Sequence, residues 1–225
     1  MSTVLIIGAS RGIGWEFARQ YADDGARVIA TYRNPDDAGK LRALGAKPIE
    51  LDVTDSTAIA ALAWHLDGEP LDLAIINAGV ATRPRTERIV APTPDDFDHV
   101  MHTNVLAPMR LIPILAPSLL TTKGKLAAMS SKMGSTALMT SPGSWLYRTS
   151  KAALNSVLKA AALELGPQGV VCMAFHPGWV RTDMGGEAAE IDVHDSVTGM
   201  RRVIASANDS HNGKFLNYNG EQLAW

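Results

Sequence analysis

The sequence predicts an α/β fold, a parallel sheet with helices packed against it, and three observations predict it. Short apolar, β-branched runs alternate with helix-forming stretches along the whole chain. A glycine turn, Gly8-Ala9-Ser10-Arg11-Gly12-Ile13-Gly14, joins the first of these runs to the first helix. The fifth run ends in Ser130-Ser131, ahead of a helix that carries Tyr147 and Lys151. The chain has 225 residues, 46% hydrophobic and 20% charged, which suits one domain with a sizeable core.

Val4-Leu5-Ile6-Ile7 reads as a buried strand, the next helix as reaching about Asp24, and Ala26 to Thr31 as the second strand. Strand, glycine turn, helix and strand in this order make a dinucleotide-binding unit, with pyrophosphate on the helix N-terminus. An acidic residue closing the second strand would bind the 2′-hydroxyl of NAD. Here Thr31-Tyr32-Arg33-Asn34 offers no carboxylate before Asp36. Arg11 and Arg33 are instead placed to clamp a 2′-phosphate, so NADP(H) is expected over NAD(H).

A helix from about Pro35 to Leu44 leads to the third strand, Pro48 to Leu51. Asp52 then stands at the cofactor edge, where it could accept from the adenine amino group, and Asp55 or Thr54 caps a helix reaching Leu66. The fourth strand, Leu71 to Ile76, ends in Asn77-Ala78-Gly79, small residues that leave room for a flat ring or a ribose. Residues 80 to 94 read as a surface loop. A helix from about Pro94 to Leu120 carries Asn104, and Pro108 and Pro113 should kink or break it. His99 and His102 lack a third ligand, so no metal site is expected.

Gly124 to Met129 is the fifth strand, and the helix after it runs to about Leu165. Tyr147 and Lys151, four residues apart, share one face of that helix, about 6 Å apart along the axis. A free phenol titrates near pH ~10, too high for acid–base work at neutrality, and a nearby ammonium would lower that by ~1–3 units. The sixth strand, Val170 to Phe175, ends at His176-Pro177-Gly178. The glycine- and alanine-rich stretch after it, with few core anchors, reads as a mobile lid around residues 183–192. A helix from about Val193 to Ala207 and a last strand, Phe215 to Tyr218, complete the chain.

The net charge is −2 with no basic block, so neither nucleic acid nor a membrane surface is an expected partner. One cysteine, Cys172, excludes an internal disulfide framework and lies in a strand, where a packed thiol is expected. The chain enters a strand almost at once, and no apolar run approaches the ~18 residues of a membrane span. A cytoplasmic location is the default expectation.

Gly8/Gly12/Gly14, Asp52, Asn77-Ala78-Gly79, Asn104, Ser130-Ser131, Tyr147/Lys151 and Pro177-Gly178 with Thr182, in this order, resemble the short-chain dehydrogenase/reductase family over essentially the whole chain. The stretches 147–155 and 176–186 look more narrowly like the branch of sniffer-type carbonyl reductases and C-signalling-factor-like proteins. The resemblance implies a doubly wound Rossmann fold of seven parallel strands, one domain over residues 1–225, and reversible hydride transfer to a small carbonyl or alcohol substrate. It implies Tyr147 as proton donor, Ser131 as a hydrogen bond to the substrate oxygen, Lys151 on the nicotinamide ribose, and Asn104 holding a relay water. Cofactor contacts carry over to Gly8, Ser10, Arg11, Gly12, Ile13, Gly14, Arg33, Asp52, Val53, Asn77, Ala78, Gly79, Tyr147, Lys151, Pro177, Gly178, Val180 and Thr182. Ile7 and Ile76 stand where the family has Thr and Asn. The family's usual serine spacing lands on Gly134, which leaves Ser130 and Ser135 as rivals to Ser131. Trp145, Trp179, Met133, Leu138, Met139 and Met184 flank the site and would favour an apolar or aromatic aldehyde or ketone. A dimer or tetramer is left open.

Overall fold

The computed structural model describes residues 1–81 and 90–225. Most of the loop expected at 80–94 lies outside these. The elements run β1 (Thr3–Ile7), α1 (Gly12–Asp23), β2 (Arg27–Tyr32), α2 (Ala38–Ala43), β3 (Lys47–Glu50), α3 (Ser56–His65), β4 (Leu73–Ile76), α4 (Pro94–Met101), α5 (Ala107–Thr122), β5 (Lys125–Met129), α6 (Trp145–Leu165), β6 (Val171–His176), α7 (Val193–Ser206) and β7 (Lys214–Asn217). All seven strands join one parallel sheet in the order β3-β2-β1-β4-β5-β6-β7. The order reverses at β1, and there the C-terminal strand ends open a crevice.

The strands are apolar on both faces because both faces are covered. In β1, Leu5 and Ile7 pack with α3, α5 and α6, while Val4 and Ile6 pack with α1 and α7. The same parity holds in β6, with Cys172 and Ala174 on the first face and Met173 and Phe175 on the second. Pro48 is tolerated because β3 is an edge strand. At the other edge the chain folds back: Leu223 donates its amide to the Phe215 carbonyl, and Asn217 donates to Glu221. This pairing covers the open side of β7.

The helix carrying Asn104 is not broken by its prolines. It runs on from Pro94 to Thr122, with a π turn over His102–Leu106 and with Pro113 and Pro117 inside α5. The Ala107 amide reaches back five residues to the His102 carbonyl. Pro108 has no N–H to offer the Asn104 carbonyl in α register, so the bend is taken up as a π turn just before it. By length and composition this helix could cross a membrane, with a mean hydropathy of 1.5 over its most apolar window. That differs from the expectation of no such run. Here Leu111, Ile112, Leu115 and Leu119 are buried in the core.

The segment after β6 has more anchors than its composition suggests. Val180 and Ala189 are buried, the Arg181 amide donates to Ile191, and the Ile191 amide donates to Trp179. The Arg181 guanidinium binds Asp192 and the carbonyls of Ala189 and Glu190. The segment is a loop closed on itself, with more anchors than expected.

Candidate active site

The glycine turn is built by contacts from two neighbouring strand ends. The Gly8 amide donates to the Thr31 hydroxyl at 2.8 Å, and Asn77 Nδ2 donates to the Gly8 carbonyl at 2.7 Å. A Cβ at Gly14 would lie 2.0 Å from that same carbonyl oxygen, so only glycine lets α1 start this close to β1. Arg11 is the N-cap of α1 and makes no side-chain cap, and the first turn carries no acidic residue. The uncapped amides and the positive end of the helix suit a phosphate. Across the groove, Gly12 faces the Thr182 methyl.

The two arginines do not converge. Arg11 pairs with Asp183 in the loop after β6, both side chains being exposed. Arg33 is exposed just beyond β2, near enough to Asp52 for its charge to help hold that carboxyl below the usual range. Burial raises the Asp52 pKa, while bonds from the Thr54 amide and hydroxyl, then Arg33 and His99, lower it further than burial lifts it. One Asp52 oxygen is thus committed to a local turn. Asp55, not Thr54, caps α3, accepting from the Thr57 amide at 2.7 Å.

Two of the catalytic candidates, Lys151 and Asn104, meet at Gly79. A Cβ there would lie 3.3 Å from Lys151 Nζ and 3.4 Å from Asn104 Oδ1. Lys151 is 4% exposed and donates to the Met129 carbonyl at 2.8 Å, with its Nζ 5.7 Å from the centre of the Tyr147 ring. Asn104, 1% exposed, bonds both main-chain groups of Val80 at 2.8 Å and donates to Ser150 Oγ at 3.0 Å. Ser150 in turn donates to the Tyr147 carbonyl, tying the π turn to the first turn of α6. At the helix start Ser144 adopts φ +61°, and Arg148 fastens the approaching loop by bonds to Gly143 and Ser141. Thr31, Ser150 and Arg148 were not singled out from the sequence. Thr31 and Ser150 act through partners distant in the chain, and Arg148 through the loop just before its helix, which short motifs do not report.

Burial pushes the Tyr147 phenol above its ordinary value, and the nearby Ser131 hydroxyl partly offsets this. The expected lowering by lysine is not found. Burial pushes Lys151 itself down to about 8, and its proton is directed at Met129.

The serines separate by partner. Ser130 donates to Asn155 Oδ1 at 2.5 Å, and Ser135 donates to the Trp225 main-chain oxygen while accepting from Leu138. Ser131 alone of the three faces the phenol. The family spacing cannot hold a serine at 134, because a Cβ there would lie 2.7 Å from the Lys151 main chain.

A family model described as Enoyl-(Acyl carrier protein) reductase matches residues 8–209. The chain belongs to the short-chain dehydrogenase/reductase family. C-signal of Myxococcus xanthus is 39% identical over 168 residues, 73% of this chain and 99% of that protein. The carbonyl reductase Sniffer of Drosophila melanogaster superposes with a TM-score of 0.92 at 31% identity, covering 100% of both chains. The NADPH-bound carbonyl reductase from chicken fatty liver does so with a TM-score of 0.90 at 33% identity, covering 100% of this chain and 99% of that one. The chain is thus an oxidoreductase-family protein of the sniffer-like branch.

Lys151 generates a stability prediction. Its pKa falls from 10.5 unfolded to about 8 folded, so between these values the unfolded chain binds more protons and stability rises with pH. Below about 8 the full penalty, about 3 kcal/mol, is present. Lys151→Met should therefore raise the free energy of unfolding in urea at pH 7 by about 1–3 kcal/mol, after loss of the Met129 bond. An unchanged or lower stability contradicts this. For the serines, Ser131→Ala should lower kcat more than Ser130→Ala, while Ser130→Ala should cost more stability; the reverse order refutes the assignment.

Proposed function

We propose that this protein is an NADP(H)-dependent carbonyl reductase, acting in reverse as an alcohol dehydrogenase. The observation that carries the reading is a linked set: Asn104 and Lys151 meet at Gly79, the Tyr147 ring lies beside Lys151, and Ser131 lies beside the Tyr147 phenol. The nicotinamide cofactor, when bound, supplies or accepts the hydride. Gly8, Ser10, Gly12, Ile13 and Gly14 would hold its pyrophosphate, Asp52 and Val53 its adenine end, and Asn77, Ala78, Gly79, Pro177, Gly178, Val180 and Thr182 its nicotinamide half. Arg33 carries the preference for a 2′-phosphate. Arg11 would join it only by leaving Asp183.

In the reduction direction Tyr147 gives its proton to the carbonyl oxygen. Burial keeps the phenol protonated at neutral pH but makes it a weaker acid, and the Lys151 charge, brought toward the forming phenolate, would offset this. Ser131 hydrogen-bonds the same oxygen. Lys151 would hold the nicotinamide ribose and would meet the phenolate charge as it forms. Because Asn104's side chain is committed to Val80 and Ser150, its contribution to a relay water is its main-chain carbonyl. Trp145 and Trp179, 48% and 50% exposed, favour an apolar or aromatic substrate.

A second reading, a nucleotide-binding signalling protein without turnover, is favoured by the likeness to C-signal. Oxidation of NADPH and NADH across a panel of aldehydes, ketones and diketones separates the two. Tyr147→Phe should lower kcat by about 10²–10⁴-fold with NADPH affinity nearly unchanged; wild-type turnover would remove the site. Arg33→Ala should weaken NADPH about tenfold or more and NADH little; equal losses would remove the 2′-phosphate role.

A further inference from the structure

Between Asp98 and Glu164 the chain has no Asp or Glu, yet it has seven Lys and Arg residues. This stretch supplies Asn104, Ser131, Tyr147 and Lys151; of its cations Lys132, Arg148 and Lys151 lie on the segments that carry the candidates, whereas Lys125 and Lys159 reach the carbonyls of Ile204 and Gly213. Arg148 is engaged by Gly143 and Ser141, and Lys151 by Met129. Lys132, directly after Ser131, is exposed and makes no ion pair among the described residues. The facing loop holds Asp183, Glu187, Glu190 and Asp192, of which the first and last are paired with Arg11 and Arg181.

His176 stands beside the segment that carries Ser131. Along β6, Cys172 and Ala174 face α5 and α6, and His176 follows in the same parity. Ser130 faces that side too, as its bond to Asn155 of α6 shows. The register sets the two ends together: Met129 pairs with Phe175, and the Ser130 amide donates to the Phe175 carbonyl at 2.7 Å. His176 Nδ1 is buried and unpartnered, while the residue as a whole is only half-buried, so the accessible edge of the ring is the Nε2 edge. Burial, then the Lys132 charge, pushes the imidazole down to about 4. At neutral pH it is uncharged and offers one N–H.

We infer that Lys132 and His176 form an anion-recognition edge beside Ser131 and Tyr147, and that the substrate class is a carbonyl compound carrying a carboxylate next to its reactive carbon. One ammonium and one neutral donor suit a monoanion, and the half-exposed Trp145 and Trp179 suit an aromatic body on it. This rests on the reductase reading above.

Phenylglyoxylate and its neutral methyl ester are the matched probes. Binding is read by tryptophan fluorescence with NADP⁺ present, and turnover by NADPH oxidation. The native protein should bind the acid at least tenfold more tightly than the ester, and Lys132→Met should remove at least fivefold of that ratio, with His176→Gln removing more in combination. Equal affinities, no acid binding, or an acid preference that survives Lys132→Met would overturn the inference. Reduction of the ester without acid preference sinks this inference and keeps the reductase. Acid-selective binding with neither probe reduced overturns the substrate class, and absence of turnover across the wider carbonyl panel removes the reductase reading with it.

Discussion

An ammonium held out of water is costly, and the candidate site is arranged around the one at Lys151. Burial pushes its pKa down to about 8, which still leaves it charged at neutral pH. One main-chain carbonyl, at the end of β5, keeps the charge in place. The carbonyl can be there only because the sheet is parallel and its strands end on one side. The lysine can reach it only because Gly134 lets the loop after β5 lie against α6.

The same crevice brings together elements far apart in the chain through small residues and main-chain bonds. Thr31 from β2 and Asn77 from β4 hold the glycine turn from two sides. The π turn offers Asn104 to Val80 on one side and Ser150 on the other. None of these contacts adds much apolar burial. They fix position, and the two apolar layers on either face of the sheet supply the stability.

The fold was legible in the sequence because its signals are local. Val4 to Ile7 is a continuous apolar run bounded by glycine, which a strand buried on both faces requires. The Tyr147 and Lys151 pair and the glycine turn were legible because their chemistry demands fixed short spacings. What was not legible depends on depth and on distant partners. Nothing near Tyr147 in the chain tells that burial outweighs the lysine in setting its pKa. The pairing of Arg11 with Asp183 spans 172 residues. The choice among Ser130, Ser131 and Ser135 turns on Asn155, Trp225 and the packing of Gly134, so spacing alone left it open. Pro108 was rightly read as a disturbance, but a π turn costs less than a break when the helix is needed on both sides of it.

The central claim is that this crevice carries a hydride to a carbonyl carbon while Tyr147 supplies the proton. The most direct test is to mix the protein with NADPH deuterated at the transferred position of the nicotinamide and an aromatic ketone, and to analyse the product by mass spectrometry. The account predicts one deuterium on the carbinol carbon with native protein, and none above background with Tyr147→Phe. NADPH bound with no deuterium transferred by the native protein to any carbonyl offered, or equal transfer by the variant, would contradict it.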